Sequence, residues 1–182
     1  VFVRDTGEES TERALAAAAL GCCREPRAVV VGGLGLGFLM HEVLSDSRVE
    51  RCAVVEREQA LVDWMRDGTI AHGPALLADE RVRVVVADLA VAVAEAQSAS
   101  YDLVLLNGNN GPISRRTFLG DVARILRPGG VVVVSSAANT PEVAGALARV
   151  FDDTDVEQLD VARRGCTERY WLYLARTAAG PE

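Results

Sequence analysis

The chain contains no lysine: all 19 basic residues among its 182 residues are arginine. This absence excludes Schiff-base chemistry, a lysine general base and a Walker-type phosphate-binding loop. Positive charge is also in the minority, because 26 acidic residues bring the net charge to −7. A nucleic-acid partner needs clustered positive charge to neutralise phosphates, so the composition predicts that nucleic acid is not a partner.

Histidine and cysteine, the usual ligands of zinc, are both scarce. The chain has two histidines and four cysteines. No pair of cysteines shows metal-ligand spacing, so we expect no metal site. Cys52 opens an apolar run and is expected to be a small buried hydrophobic residue. This cysteine usage favours a reduced, cytoplasmic setting.

Long hydrophobic runs are missing as well. No apolar run approaches the about 20 residues that a transmembrane helix needs, and the charged start VFVRDTGEES does not resemble a signal peptide. The sequence therefore predicts a cytoplasmic protein without a membrane partner.

The most informative feature that is present is a glycine-rich segment after an apolar, β-branched run. Gly33, Gly35 and Gly37 alternate with apolar residues, and a helical pattern begins at Phe38. Glycines permit a positive φ and let backbone N–H groups approach a ligand closely. Glu56 ends the next apolar strand about 20 residues later, which is the spacing expected of a ribose-binding carboxylate. The pattern predicts a nucleotide-binding corner of an α/β protein.

Apolar runs and helical patterns alternate along the whole chain. This order predicts a doubly wound, mostly parallel seven-stranded sheet with helices on both faces and a C-terminal antiparallel hairpin turning at Arg163–Gly165. We expect one domain over residues 1–182: an N-terminal segment and helix over 1–27, a cofactor-binding core over 28–136, and a helix and hairpin over 137–182. The predicted strands are Val29–Val31, Cys52–Val55, Val82–Val86, Leu103–Leu106, Val131–Val134, Val156–Val161 and Tyr170–Ala175. Arg127–Gly130 is expected to be a sharp turn before the fifth strand.

Ligands of such sheets bind at the carboxyl ends of the strands. Glu56, Asp88 and Asn107 end the second, third and fourth strands. Glu56 can accept hydrogen bonds from ribose hydroxyls, and Asp88 from an adenine amine while Leu89 packs on the ring. Each residue also has a structural interpretation: both acids can cap the helices that follow, and Asn107–Gly111 can be a simple turn.

These residues and their spacing resemble class I S-adenosylmethionine-dependent methyltransferases, and most closely the spermidine synthase family. The resemblance implies that Gly33, Gly35 and Gly37 lie beneath the methionine-like end of the cofactor, S-adenosylmethionine or its decarboxylated form. It also implies the ribose role for Glu56 and the adenine role for Asp88. Asn107 and Asn110 fall where aminopropyltransferases carry two catalytic-loop aspartates. The matching segments are 29–44, 48–64, 79–89, 100–112 and 118–136.

Four departures from the synthase pattern lie outside the adenosine-binding features. Asn107 cannot act as a carboxylate base, because its amide is neutral. Leu36 stands where synthases usually carry an aspartate that contacts the amino end of the decarboxylated cofactor. The family's Tyr-His pair is missing near Glu12-Arg13. We also expect the family's small N-terminal β-domain to be absent or reduced to Val1–Asp5.

Several functions therefore stay open. The leading hypothesis is methyl transfer to a small-molecule acceptor, since methyl transfer to a reactive nucleophile depends mostly on proximity and orientation. The alternatives are an aminopropyltransferase that uses Asp5, Glu8 or Glu9 in place of the aspartates, a non-catalytic cofactor-binding domain, and, more distantly, a nicotinamide oxidoreductase. Small size and an exposed sheet edge make a homodimer an expectation.

Overall fold

A computed structural model of the protein describes residues 6–107, 113–163 and 166–180. Helices separate the first six strands, two of them lying between the second and third strands, and the seventh strand follows the sixth directly. The elements are α1 (Thr6–Cys22), β1 (Ala28–Gly32), α2 (Phe38–Ser45), β2 (Arg51–Glu56), α3 (Gln59–Arg66), α4 (Gly73–Leu77), β3 (Val82–Val86), α5 (Leu89–Glu95), β4 (Tyr101–Asn107), α6 (Arg116–Ile125), β5 (Leu126–Ser136), α7 (Pro141–Leu147), β6 (Asp153–Arg163) and β7 (Cys166–Arg176).

All seven strands form one sheet in the order β3-β2-β1-β4-β5-β7-β6. The first five strands are parallel, and β7 runs antiparallel to both β5 and β6. The doubly wound sheet and its C-terminal hairpin are thus confirmed. The strand order reverses between β1 and β4, and ligands of open α/β sheets bind at such a switch point.

The core lies in two layers because successive residues of a strand face opposite sides of the sheet. Val29 and Val31 of β1 pack with helices α1 to α4, while Val30 joins the layer under α5, α6 and α7. The residues of β1 are buried throughout, as expected for a strand covered on both faces. Prolines lie in the first turn of two of the covering helices, α4 and α7, where their missing N–H costs no hydrogen bond.

The expected turn over Arg127–Gly130 is wrong. These residues belong to β5, which pairs at Leu126 with Tyr101, shifts register, and pairs again from Val131. Gly129 has φ 76°, and its N–H donates to Ala178 O at 3.0 Å. Pairing with both neighbouring segments therefore keeps the proline- and glycine-containing stretch within the strand as a local irregularity.

Helix boundaries differ from the prediction by a few residues. The sequence pattern predicts the first helix over residues 10–20, whereas it runs from Thr6 to Cys22. It predicts the last helix from Pro141 to Val150, whereas that helix ends at Leu147. Such shifts are common, because end residues depend on contacts outside the helix. No helix in the described part of the chain is both long and apolar enough to cross a membrane.

Arg124 of α6 closes the end of the neighbouring helix α5. Its guanidinium donates to Ala96 O at 2.7 Å and to Val93 O and Ala94 O at 2.9 Å each. The last carbonyls of a helix have no partner within the helix, and a cation is favourable beside them. We expect Arg124→Ala to lower the free energy of unfolding by about 1–2 kcal/mol. Urea denaturation checks this, with the exposed Arg116→Ala at the start of α6 as the control; equal losses would contradict the capping role.

Candidate functional site

The glycine loop joins β1 to α2 at the switch point of the sheet. Gly33, Gly35 and Gly37 have φ values of 110°, 53° and 85°, a region that side chains with a Cβ rarely adopt. The Gly33 N–H donates to Val55 O of β2 at 2.9 Å, and the Gly37 N–H donates to Leu34 O at 3.0 Å. The loop is thus folded back tightly over the ends of β1 and β2. The alternating glycines predict this conformation, and the structure shows the three positive φ angles.

Histidine 72 holds the far side of the same loop. The His72 Nε2 atom lies 2.6 Å from Leu36 O, and the imidazole ring lies 5.0 Å from the ring of Phe38. Because a carbonyl only accepts, Nε2 carries the proton in this hydrogen bond. The position of His72 in a loop of the sequence favours a structural or solvated role, and in the structure it contacts the glycine loop.

Glu56 ends β2 with its carboxylate against the glycine loop. Its Oε2 accepts from the Leu34 N–H at 2.9 Å, and its Oε1 accepts from the Glu58 N–H at 2.9 Å, just before α3. The structure shows the contact of Glu56 beside the start of α3 and its position against the loop, and its ribose role stays a prediction. Each carboxylate oxygen has further acceptor capacity after one such bond, and two hydroxyl groups of a ribose can use it.

Asp88 lies beside Glu56, because the Ala87 N–H donates to Glu56 O at 3.0 Å. The Asp88 Oδ1 accepts from the Ala90 N–H at 2.8 Å and caps α5. Leu89 follows and reaches over the end of β1: a Cβ on Gly32 would lie 3.2 Å from Leu89 Cδ2. The exposed Asp88 and the half-buried Leu89 thus form one edge of the cleft. The cap shows the structural role of Asp88, and its adenine role stays a prediction.

Asn107 ends β4 next to the loop. Leu106 pairs with Gly32 of β1, and Asn107 pairs with Ser135 of β5. Asn107 is half-buried at this strand end, so the backbone brings it to the same edge of the sheet as the glycine loop. Asn110, its expected companion, lies outside the described residues. The catalytic roles of the two asparagines stay predictions.

Glu12 is a residue that sequence reasoning passed over. It lies on α1, and a Cβ placed on Gly35 would lie 3.5 Å from Glu12 Oε1 and 4.0 Å from Oε2. A carboxylate therefore lies directly against the open side of the glycine loop. Asp5 and the side chains of Glu8 and Glu9, which we considered for this role from the sequence, lie outside the described residues. The sequence signal available for Glu12 was its place one helical turn beyond Glu8.

Metal ligands do not gather in the part of the chain that the structure describes, where no three histidine, cysteine or acidic side chains form a cation site. Cys52 is buried in the core, and burial raises the pKa of its thiol to about 12. A thiol with that pKa stays protonated at neutral pH, and metals bind the thiolate. Cys52 is a packing residue, as its sequence context predicts.

Comparison with known proteins agrees with this geometry. The family model described as "Spermine/spermidine synthase domain" matches residues 8–153. Putrescine N-methyltransferase 3 of Nicotiana tabacum is 35% identical over 118 residues, which are 62% of this chain and 31% of that protein. A polyamine aminopropyltransferase of Prochlorococcus marinus (strain MIT 9313) is 32% identical over 133 residues, 70% of this chain and 44% of that protein.

Solved structures share the fold. A spermidine synthase in complex with the transition-state analogue AdoDATO superposes with a TM-score of 0.77 at 18% identity, covering 96% of this chain and 62% of that one. At this identity the likeness concerns the fold alone. The chain spans between about a third and about half of the length of the two curated relatives above, 31% and 44%.

Proposed function

Because the chain belongs to the spermine/spermidine synthase family, we propose that it binds S-adenosylmethionine and transfers the methyl group to a small-molecule amine. The observation that carries the proposal is the Glu56 carboxylate held against a loop of three left-handed glycines. This arrangement offers close backbone approach for a ligand and two acceptor oxygens for its ribose. Supporting it, the two curated relatives are a putrescine N-methyltransferase and an aminopropyltransferase.

The residues present fit an adenosyl group. Glu56 would hold the ribose hydroxyls, and the second oxygen of Asp88 would accept from the adenine amine while its first caps α5. Leu89, half-buried over Gly32, would offer an apolar surface to the base. The glycine loop would lie under the methionine-derived end, where any side chain at Gly35 would occupy the space in front of Glu12.

Asn107 is compatible with methyl transfer to an acceptor nitrogen that reaches the site as the free amine. Its amide oxygen can accept a hydrogen bond from an amine and so orient the nitrogen, but it cannot take up a proton as a carboxylate does. When bound, the cofactor would supply an electrophilic methyl group for transfer to the acceptor nitrogen, and Asn107 would orient that nitrogen toward it. Orientation alone supplies about 7–11 kcal/mol in well-aligned reactions, so a neutral positioning residue suffices.

Aminopropyl transfer from decarboxylated S-adenosylmethionine is the second candidate. The aminopropyltransferase of Prochlorococcus covers more of this chain than the methyltransferase does, 70% against 62%, at similar identity. The structure adds the Glu12 carboxylate near the loop, which is negative charge of the kind that a cationic amine requires. Asp5, Glu8 and Glu9 are further candidates for the role of the missing aspartates.

Product analysis separates these functions. The protein is incubated with putrescine and either S-adenosylmethionine or its decarboxylated form, and the products are identified by mass spectrometry. N-methylated amine and S-adenosylhomocysteine would support methyl transfer. Methylthioadenosine with a lengthened polyamine would support the second candidate. Cofactor binding without turnover on amine, hydroxyl and thiol acceptors would contradict both and leave a non-catalytic binding domain.

A homodimer formed through a sheet edge, a cytoplasmic location and the absence of a nucleic-acid partner remain proposals from the sequence. Strands β3 and β6 are the edges of the sheet, and Val86 and Val156 on them are 41% and 43% exposed. Analytical ultracentrifugation over a range of concentrations tests the dimer.

A further inference from the structure

The glycine loop has no charged side chain of its own, but a carboxylate from another element lies beside it. Leu36 replaces the aspartate that the resemblance leads one to expect, so the loop itself, residues 32–37, has no charged side chain. The Glu12 carboxylate, from a helix more than twenty residues earlier in the chain, lies 3.5 Å from the position of a Cβ on Gly35. A negative charge is therefore present beside the loop although the loop sequence lacks one.

We propose that Glu12 binds the ammonium group at the amino end of the S-adenosyl cofactor. Its carboxylate would take the place of the loop aspartate that the resemblance implies and that is Leu36 in this chain. The inference rests on the proposed function, because it assumes that the cofactor lies on the glycine loop. It assigns a specificity-determining contact to α1, an element that lies outside the strand ends where ligand contacts are expected.

The packing of α1 fixes where this carboxylate lies. Thr11, Leu15 and Ala16 are buried, with 5%, 8% and 0% exposure, so one face of the helix is held in the core. The Glu12 carboxylate lies next to the glycine loop. Arg13, the next residue, forms an ion pair with Glu42 of α2 at 3.7 Å. That pair ties α1 to the helix that begins at the glycine loop.

The chemistry of the position selects a cation. Glu56 approaches the loop at Leu34 and Glu12 approaches it at Gly35, so two carboxylates lie along one short backbone segment. Ribose hydroxyls are neutral and suit Glu56, whose oxygens already accept two backbone N–H groups. An ammonium group carries three donors and a full charge, and charge-assisted hydrogen bonds to a carboxylate are about twice as strong as neutral ones.

Four ligands isolate the ammonium group in calorimetric titrations. The ligands differ in their cationic groups. S-adenosylmethionine has a sulfonium and an ammonium group, S-adenosylhomocysteine has the ammonium group as its one cation, and methylthioadenosine has neither cation. Decarboxylated S-adenosylmethionine keeps both cations but lacks the carboxylate. The variant is Glu12→Gln, which keeps the size of the side chain and removes its charge. Glu25→Gln is the matched control, since Glu25 is 62% exposed in a pair with Arg27 before β1, at the opposite end of the sheet.

We expect Glu12→Gln to weaken the binding of the three ammonium-containing ligands about 10-fold, in line with the loss of one charge-assisted hydrogen bond. Methylthioadenosine binding is expected to stay within about 2-fold, and Glu25→Gln to leave all four affinities unchanged. The weakening of S-adenosylhomocysteine binding by Glu12→Gln is expected to become smaller as the salt concentration is raised, since screening weakens the ion pair in the wild-type protein.

Each other result overturns the inference in a recognisable way. Equal weakening of methylthioadenosine would show that Glu12 acts on the shape of the loop. Weakening of S-adenosylmethionine without weakening of S-adenosylhomocysteine would assign the carboxylate to the sulfonium. Unchanged affinity for all four ligands would remove Glu12 from the site while leaving the proposed function intact. A wild-type protein that is folded and binds none of them would refute the proposed function itself.

Discussion

Glu56→Ala is expected to weaken S-adenosylmethionine binding by at least about 100-fold. A carboxylate that accepts from two ribose hydroxyls makes two charge-assisted hydrogen bonds, each worth about 1.5–3 kcal/mol, and about 1.4 kcal/mol is tenfold in affinity. The same substitution removes the acceptor of the Leu34 N–H, which lies 2.9 Å from Oε2. Isothermal titration measures the dissociation constant directly.

Two controls separate the ribose contact from general effects. Glu58→Ala removes a neighbouring carboxylate that is 67% exposed and pairs with Arg57. The affinity of this variant for S-adenosylmethionine is therefore expected to stay close to that of the wild type. Glu56→Gln keeps one carbonyl oxygen as an acceptor and is expected to fall between the wild type and Glu56→Ala. Circular dichroism confirms that each variant is folded. A dissociation constant for Glu56→Ala within about 3-fold of the wild type would contradict the ribose role.

Gly37→Ala is expected to lower the free energy of unfolding by about 2–4 kcal/mol. The residue has φ 85°, where a Cβ is strained by about 1–3 kcal/mol, and it immediately precedes α2. The new Cβ would also lie 2.8 Å from Met65 Cε and 3.0 Å from Leu76 Cδ1. Overpacking a buried contact adds about 1–3 kcal/mol, partly relieved because methionine can move. Urea denaturation of both proteins measures the difference.

Gly145→Ala is the matched control, because the substitution is the same but the surroundings differ. Gly145 lies within α7, and among the described residues no atom comes within 4 Å of its added Cβ. Alanine restricts the unfolded chain and suits a helix, so this variant is expected to gain about 0.4–1 kcal/mol. If Gly37→Ala were as stable as Gly145→Ala, the strained conformation of the loop would be disproved.

Much of the fold was predictable because its signals are local. The β-branched run of Val29–Val31 predicts a buried strand, and the pattern of Gln59–Arg66 predicts a helix. The structure contains both. The place of Arg127–Gly130 inside strand β5 was not predictable in this way. Proline and glycine there indicate a turn locally, but pairing on either side places them inside β5. Such pairing involves residues up to about fifty positions away, such as Thr177, whose N–H donates to Gly130 O.

The sequence by itself determined the glycine loop and the acid at the end of the next strand, the two features on which the proposed cofactor site rests. Glycine spacing, an acid about 20 residues later and the ends of parallel strands follow from backbone sterics and sheet geometry, which short segments encode. Only the tertiary structure decided that Glu12 faces Gly35 and that His72 reaches Leu36. Those contacts join segments more than twenty residues apart, and they depend on how helices pack on the sheet. Packing depends on how many buried side chains fit together, so no local sequence pattern predicts it.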